Sequence, residues 1–276
     1  MSLRRTGETK RRHQNERGIA LLLVLLVTTL LIALIFEFFY GTRVSLREAV
    51  NFRDGQRAYY LAWSGVNFAG KLLADNLKNG KPQDNLEQRE WQVVPIVSTG
   101  DAELRVNWED EDGKINVASL SAGQSSLARL ERLFGMQQID LDVLDRLKEL
   151  KVVRLLDELH QVMSDEEFSK IRKFVTVYGA DKVDINTAPS EVLQSLGLSE
   201  SVASLIIDRR SREPFDAREK INAFPGMDTT TAAMLDISSN VFLVHSYATV
   251  GGYTKQAEAV IRRDSSAFTI LYWKIL

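Results

Sequence analysis

An uncharged apolar stretch near the start of the chain limits its fold more than any other feature. Residues 19–36 contain no charged side chain, and their only polar residues are Thr28 and Thr29. As an α-helix rising about 1.5 Å per residue, this stretch would be roughly 27 Å long, close to the ~30 Å hydrocarbon core of a bilayer. We therefore predict that residues 19–40 form a transmembrane helix that anchors the rest of the chain.

The leader before this stretch, residues 1–18, is basic. It has a net charge of +4, which is the balance of six basic and two acidic residues: Arg4, Arg5, Lys10, Arg11, Arg12 and Arg17 against Glu8 and Glu16. By the positive-inside rule, this charge keeps the N-terminus in the cytoplasm and places the residues after the span across the membrane. A secretory signal peptide would have a shorter apolar region followed by its cleavage site, whereas here the small residue Gly18 precedes the apolar region.

Apolar periodicity extends the helix far beyond the membrane. After residue 57, apolar side chains recur every three or four residues, which is typical of a helix packed on a folded domain: Ala58, Ala62, Val66, Ala69, Leu72 and Leu73. The sequence Asn79-Gly80-Lys81-Pro82 ends this pattern. A single helix of about sixty residues is therefore predicted to begin in lipid and to end in a soluble domain.

Short strands are predicted on either side of a helical region. Alternation with period two predicts strands at 91–95 and 104–108, and again from 241 onward, where the last two strands cover 253–263 and 268–275. From 117 to 237 the apolar period is instead near 3.6, and within this region Asn186 or Thr187 is expected to cap a helix whose first turn contains Pro189 and Glu191. Early and late strands can share one antiparallel sheet only if the helical region is an insertion, so the predicted class is α+β. The predicted segments are 1–18 (leader), 19–40 (span), 41–116 (rest of the long helix and first strands), 117–237 (inserted α-helical domain) and 238–276 (C-terminal strands).

The acidic stretch Asp110-Glu111-Asp112 is a candidate metal site. Carboxylates are among the oxygen ligands that calcium prefers. Aligning the glycine that follows with the sixth position of an EF-hand loop places Trp108 at the first position and Ser119 at the twelfth, where acidic ligands are required. An EF-hand is therefore excluded. Two interpretations stay open, namely a solvated acidic turn and a calcium site that takes further ligands from elsewhere in the chain.

The junction between the leader and the span resembles a known processing site. Arg17-Gly18 before residues 19–23 is similar to the prepilin-peptidase site of type IV pilins and of the pseudopilins of type II secretion. The resemblance implies cleavage between Gly18 and Ile19 and methylation of the new N-terminal residue, Ile19. Most members have glutamate at the fifth mature position, where this chain has Leu23. The large minor pseudopilin K family (general secretion pathway protein K) is the branch that typically lacks this glutamate.

Three further stretches resemble the same pseudopilin K family. Residues 109–116 are similar to its acidic stretch, residues 185–215 to its block of tandem helix-hairpin-helix-like modules, and residues 241–276 to its C-terminal strands. The resemblance implies a type IV pilin-like fold, in which a long N-terminal transmembrane helix packs on an antiparallel sheet that carries a large all-α insertion.

The resemblance also implies a role. A member of this family is a non-catalytic subunit at the tip of the type II secretion pseudopilus that helps to initiate its assembly. It spans the bacterial inner membrane once, with its N-terminus cytoplasmic and its C-terminal domain periplasmic. The implied partners are the minor pseudopilins I and J, the major pseudopilin and the prepilin peptidase, with no nucleic acid among them.

Other functions are weighed against this one. A minor pilin of a type IV pilus machine would carry the same leader. Helix-hairpin-helix units often bind DNA through backbone N–H groups, which makes a membrane-anchored DNA-binding protein a further alternative. However, the hairpins at residues 197–200 and 226–228 have each lost the second glycine and gained a carboxylate, and residues 184–236 have a net charge of −4.

An enzyme on a membrane anchor is the rival class of function. The chain has no cysteine, and its histidines are His13, His160 and His245. His13 lies in the leader that should be removed, and neither His160 nor His245 has an acid or a nucleophile at a spacing typical of a catalytic site. No hydrolase, zinc-protease, P-loop or dinucleotide-binding motif is present. We therefore expect no catalytic activity and no cofactor beyond the candidate calcium.

Overall fold

The computed structural model describes residues 7–79, 92–93, 101–118, 124–150 and 152–276. The chain forms two compact units, Met1–Gln56 and Arg57–Leu276, and each is described by itself. Some predicted features lie outside the described residues: Arg4 and Arg5 of the leader, Gly80, Lys81 and Pro82 after the long helix, most of the strand at 91–95, and Ser119.

The first unit consists of one part of a long helix, α1, which covers Gly7–Lys78 in full. Large apolar side chains in its membrane-length stretch are exposed, as shown by Leu23 at 60%. The hydroxyl groups of Thr28 and Thr29 donate to main-chain carbonyls about one turn earlier, so that they need no water as a partner. In the described part of the chain, α1 is the one helix long and apolar enough to cross a membrane.

The second unit contains the end of α1, short and long strands, and a series of short helices. The strands are β1 (Gln92–Val93), β2 (Ala102–Asp110), β3 (Ile115–Asn116), β4 (Val175–Thr176), β5 (Val183–Asp184), β6 (Leu235–Asp236), β7 (Val241–Val250), β8 (Tyr253–Arg263) and β9 (Phe268–Ile275). The helices are α2 (Gln124–Gln137), α3 (Asp142–Glu149), a 3₁₀ helix at Leu156–Gln161, α4 (Asp165–Ile171), α5 (Ser190–Ser195), α6 (Glu200–Arg212), α7 (Arg218–Asn222) and α8 (Thr229–Met234).

Five strands form an antiparallel sheet in the order β1-β2-β7-β8-β9. Its strands β2 and β7 pair from Ala102 opposite Val250 to Asp110 opposite Phe242. The chain therefore leaves the sheet after β2, forms the helices, and returns to the sheet at β7. The predicted α+β class is confirmed, and the last two predicted strands coincide with β8 and β9. The exact segment boundaries at 116/117 and 237/238 stay predictions.

The end of α1 packs on one face of this sheet through apolar residues, two of which are alanines. Ala62, Val66, Ala69 and Leu73 are buried against alternate residues of the strands, such as Val244. Alternation explains the face, because every second side chain of a strand points to the same side. A methyl group at Gly70 would lie 2.6 Å from the ring of Phe268, so only a glycine there allows β9 to approach the helix this closely.

The helices form a second core that is separate from the sheet core. It contains the buried side chains of Phe134, Phe174, Leu193, Ile206 and Phe215, among others. Two short parallel ladders, β3 with β4 and β5 with β6, run through this region. We call the region from β3 to β6 the helical block. The chain enters the block at the end of β2 and leaves it at the start of β7, and Tyr178 of the block also lies beside Tyr272 of β9.

Candidate functional site

The acidic stretch at the end of β2 is buried. Asp110, Glu111 and Asp112 are only 4%, 2% and 7% exposed. The interpretation as a solvated acidic turn is therefore wrong. The physical reason is their position, because the chain here passes from the sheet into the helical block, and groups from both regions cover the three carboxylates. We call Asp110, Glu111 and Asp112, together with the buried Asp184 and Ser239, the acidic junction.

Asp110 is the centre of the acidic junction. One of its carboxylate oxygens accepts the main-chain N–H of Asp112 at 2.8 Å. The other accepts the hydroxyl of Ser239 at 2.5 Å and the hydroxyl of Thr187. The Ser239 hydroxyl also lies 2.9 Å from a carboxylate oxygen of Asp184. One aspartate at the end of a strand thus joins the hairpin region of the helical block to the segment that leads into β7.

Asp112 also connects the helical block to the start of β7, but its carboxylate binds main-chain N–H groups. One oxygen accepts the N–H of Ala180 in the helical block at 3.0 Å. The other accepts the N–H groups of Asn240 and Val241, at 2.7 and 3.1 Å, where β7 begins. The main-chain carbonyl of Asp112 accepts the N–H of Asp184 at 2.9 Å. Buried polar groups of this kind are tolerated because each one has a partner.

Glu111 lies between the two aspartates in sequence and binds two further groups. Its two carboxylate oxygens bind Lys114 Nζ at 2.6 Å and the hydroxyl of Thr176 in β4. The Lys114 side chain is only 13% exposed, so this ion pair is shielded from water more than a surface pair would be. Each of the three adjacent carboxylates therefore holds a different part of the helical block.

The Asn186-Thr187 pair has a different role from the one predicted. Sequence spacing favours one of these residues as the cap of the following helix, but α5 begins at Ser190 with Pro189 as its N-cap and no side-chain cap. Asn186 instead donates to the carbonyls of Phe215 and Ile237, and Thr187 binds Asp110. The capping interpretation is therefore wrong, because partners distant in sequence use these side chains.

Arg210 has a structural role that was not predicted from the sequence. It is 8% exposed on α6, and one of its guanidinium nitrogens donates to the carbonyls of Ile185 and Ala188, both at 2.7 Å. A signal was available, because Arg210 continues the apolar spacing of Ala203, Ile206 and Ile207 on the inner face of the helix. Ser239 was also missed, and no local pattern marks it.

Burial controls the electrostatics of the junction. It raises the pKa of Asp110 to about 6, because removal from water disfavours the charged form more than the hydroxyl donors favour it. Burial also raises the pKa of Asp112, while three main-chain N–H donors act in the opposite direction. The acidic junction is therefore a buried network of hydrogen bonds that connects the helical block to the sheet.

The acidic junction is also the place of the candidate calcium site. All six carboxylate oxygens of Asp110, Glu111 and Asp112 accept hydrogen bonds from protein donors. A calcium ion would have to displace several of them. Among the described residues, no group of three or more His, Asp or Glu side chains is placed to hold a metal ion. The calcium hypothesis stays a prediction.

The predicted processing residues lie in the first unit. Gly18, Ile19 and Leu23 are exposed on α1, and a methyl group at Gly18 would have no heavy atom within 4 Å among its described neighbours. Cleavage between Gly18 and Ile19 and methylation of Ile19 stay predictions.

The two hairpins of the helical block turn at glycines. Gly197 and Gly226 have φ angles of +108° and +81°, which side chains disfavour. After the second hairpin, the Asp228 carboxylate accepts the N–H groups of Thr230 and Thr231 at 2.8 and 2.9 Å. In helix-hairpin-helix units that bind DNA, free N–H groups at this position contact phosphate. Here they already bind a carboxylate of the chain itself.

Comparisons with known proteins identify the fold. A family model described as a helix-hairpin-helix motif matches residues 179–236. No curated protein sequence matches the chain. Among solved structures, a chain in the crystal structure of the GspK-GspI-GspJ complex from the enterotoxigenic Escherichia coli type 2 secretion system is similar over 83% of this chain and 99% of its own length, with a TM-score of 0.68 and 16% identity. The two chains share a pilin-like fold.

Proposed function

We propose that this chain is the K-type minor pseudopilin of a type II secretion system, a structural subunit without catalytic activity. The observation that carries the proposal is the fold shared with a chain of the GspK-GspI-GspJ complex. The likeness covers 83% of this chain and 99% of the length of that chain. The helix-hairpin-helix match alone accounts for only residues 179–236.

The proposed location follows from the first unit. The apolar part of α1 has the length and composition of a membrane span, and the leader has a net charge of +4. This charge favours a cytoplasmic N-terminus. The subunit would then cross the bacterial inner membrane once and hold the sheet and the helical block in the periplasm.

Maturation is proposed to occur between Gly18 and Ile19, with methylation of Ile19. The peptidase must accommodate the residue before the cut, so a small side chain is required there. Intact-mass analysis of the protein purified from its native membrane should give a chain that begins at Ile19. Gly18→Ala should be processed, whereas Gly18→Arg should accumulate with residues 1–18 attached. A mature wild-type protein that retains its leader would contradict this part of the proposal.

The tip position is supported by Leu23. Family members with glutamate at this position are thought to use it to neutralise the N-terminal amine of the neighbouring subunit. A carboxylate without such a partner costs about 2.5 to 3.5 kcal/mol at the centre of a bilayer on insertion scales. An apolar Leu23 therefore suits a subunit with no neighbour beyond it. A helical block of about 120 residues, with a radius of gyration of ~14 Å, would also obstruct further subunits.

The proposed partners are the minor pseudopilins I and J and the major pseudopilin. The chain has no cysteine, so single cysteines can be introduced into the full-length protein and cross-linked in membranes. A tip subunit should cross-link to the two minor partners at low copy number. Abundant links to major subunits on both sides would contradict the tip position. Neighbouring genes for pilus retraction motors would instead favour a minor pilin of a type IV pilus machine.

The second candidate function is DNA binding, and the helix-hairpin-helix match is the observation that favours it. Two features act against it, namely the net charge of −4 over residues 184–236 and the carboxylate of Asp228 at the start of α8. Both would repel phosphate. Titration of a fluorescent DNA duplex with the full-length protein at low salt should give no binding, and salt-dependent binding would support the second candidate.

A further inference from the structure

The last strand, β9, lies at one edge of the sheet, and the direction of its main-chain groups can be derived. The N–H of Leu276 donates to the carbonyl of Gln256 at 2.9 Å, and the reverse hydrogen bond is also present. In an antiparallel pair, hydrogen-bonded and non-hydrogen-bonded residues alternate. The N–H and C=O groups of Lys274 therefore face β8, whereas those of Trp273 and Ile275 point away from the sheet.

Among the described residues, the features that protect this edge are limited to one lysine and one bulge. No described strand pairs with β9 on the side away from β8. Within Phe268–Ile275 there is no proline, and Lys274 is the only charged residue. Edge strands are usually protected by charges, prolines, bulges or a covering element, since free main-chain groups can pair with another chain.

A register shift sets the length of the accessible edge. Val260 pairs with Tyr272 and Ile261 with Ile270, so Leu271 has no partner on β8. A bulge of this kind interrupts regular pairing and redirects the residues on either side. The regular part of the free edge is therefore Tyr272–Ile275 with the adjoining Leu276, a short segment suited to pairing with a few residues of another chain.

Aromatic side chains of α1 lie beside this segment. The rings of Trp63 and Trp273 are 4.4 Å apart and nearly perpendicular. On the same side of the helix, Tyr60 is 63% exposed and Trp63 is 36% exposed. Exposed aromatic residues next to free main-chain groups are typical of interfaces, since aromatic rings contribute much of the contact energy there.

We propose that this edge, together with Tyr60 and Trp63, is the docking surface for an extended segment of a neighbouring pseudopilin subunit. The proposal rests on the proposed function, which supplies such a neighbour. The segment would add a strand next to β9 by pairing with the main-chain groups of Trp273 and Ile275, as in β-strand addition. Its apolar residues would lie against the two aromatic side chains.

The charge of Lys274 specifies the partner further. Lys274 is exposed, and the residue directly opposite it on β8 is Glu258. Opposite charges on directly opposed residues of neighbouring strands stabilise the pair, and like charges destabilise it. Glu258 supplies the opposite charge on one side of Lys274, so the partner segment should carry no basic residue on the other side and apolar residues at the alternate positions.

A matched pair of variants isolates the main-chain contribution. Ile275→Ala and Ile275→Pro both remove the isoleucine side chain, but only proline also removes the N–H that points to the free edge. Proline is tolerated on an edge strand when its missing N–H faces solvent, so both variants should fold. Near-equal melting temperatures of the two variants would verify this.

The experiment uses the full-length chain, co-expressed in membranes with the I-type and J-type subunits of the same organism and extracted with detergent. Ile275→Ala should retain most of the co-purifying partner, and Ile275→Pro should lose about tenfold or more. Equal recovery with both variants would overturn the docking surface while leaving the proposed function intact. If the wild-type chain recovers neither subunit, the proposed function itself fails.

Hydrogen exchange gives an independent readout on the wild-type chain, which decides the matter if Ile275→Pro does not fold. The amides of Trp273 and Ile275 should exchange quickly in the isolated chain and at least tenfold more slowly in the complex. Unchanged exchange would overturn the proposal. The variant Tyr60→Cys should cross-link to a partner subunit, whereas cross-linking mainly to a second copy of this chain would show self-association and overturn the proposal as well.

Discussion

Two aspartates in different regions bind similar groups but have opposite electrostatic properties. Asp110, in the acidic junction, accepts a main-chain N–H and two hydroxyl groups and is 4% exposed. Asp228, in the second hairpin, accepts two main-chain N–H groups and one hydroxyl but is exposed. The pKa of Asp110 is raised to about 6 by burial, whereas hydrogen bonds lower the pKa of Asp228.

The difference shows that access to water decides whether the pKa of the aspartate is raised or lowered. Hydrogen bonds favour the charged form in both places, but only at the junction does loss of hydration outweigh them. The two regions therefore use the same residue type differently. The junction holds the helical block to the sheet from inside, while Asp228 stabilises the start of a surface helix whose ends water can also satisfy.

The largest effect is expected from Asp110→Ala. Buried donors at Asp112, Thr187 and Ser239 would lose their acceptor, and each unsatisfied buried group costs about 1 to 3 kcal/mol. We expect the free energy of unfolding to fall by about 3 kcal/mol or more in chemical denaturation of the detergent-solubilised full chain. The control is Glu109→Ala. The Glu109 side chain is 47% exposed, and its ion pair with Lys114 is long, at 3.8 Å, so its loss should cost little. Equal losses in the two variants would remove the distinction between the junction and the surface.

A second prediction concerns pH. The pKa of Asp110 is higher in the folded state than in the unfolded state, so stability should fall as pH rises from about 4 to about 6, by on the order of 2 kcal/mol. Asp228 has the opposite sign, because its lowered pKa stabilises the fold above about pH 4 and this contribution is lost at lower pH.

Melting temperatures of the wild type, Asp110→Asn and Asp228→Asn between pH 3 and pH 8 would check both signs. The advantage of the wild type over Asp110→Asn should shrink as pH rises toward 6. Its advantage over Asp228→Asn should instead grow as pH rises from 3. Two slopes of the same sign would show that burial does not separate these sites.

The smallest effect is expected from Asp228→Ala at neutral pH. The variant removes the N-cap of α8, but water can replace the carboxylate as a partner of the exposed N–H groups. The melting temperature should fall by less than in Asp110→Ala, yet by more than in Thr229→Ala, the matched change at the next exposed residue. A loss as large as that of Asp110→Ala would break the comparison.

Much of the fold could be predicted from the sequence. The span, the amphipathic end of α1, and strands β8 and β9 follow from periodicity, because regular elements place a side chain on the same face at a fixed step. The resemblance to pseudopilin K implied the pilin-like sheet with its helical insertion, and the structure confirms this class. The acidic stretch was also correctly singled out, although its solvation was not.

By itself, the sequence determined the elements that depend on neighbouring residues: an apolar run long enough for a membrane, helical and strand periods, and glycines at tight turns. Only the tertiary structure decided what the acidic residues do. Asp110 meets Thr187 and Ser239, which lie 77 and 129 positions further along the chain. The same is true of Asp112, whose partner Asn240 is 128 positions away. No local pattern encodes such contacts, since they arise only when β2 and β7 pair and bring the helical block back to the sheet.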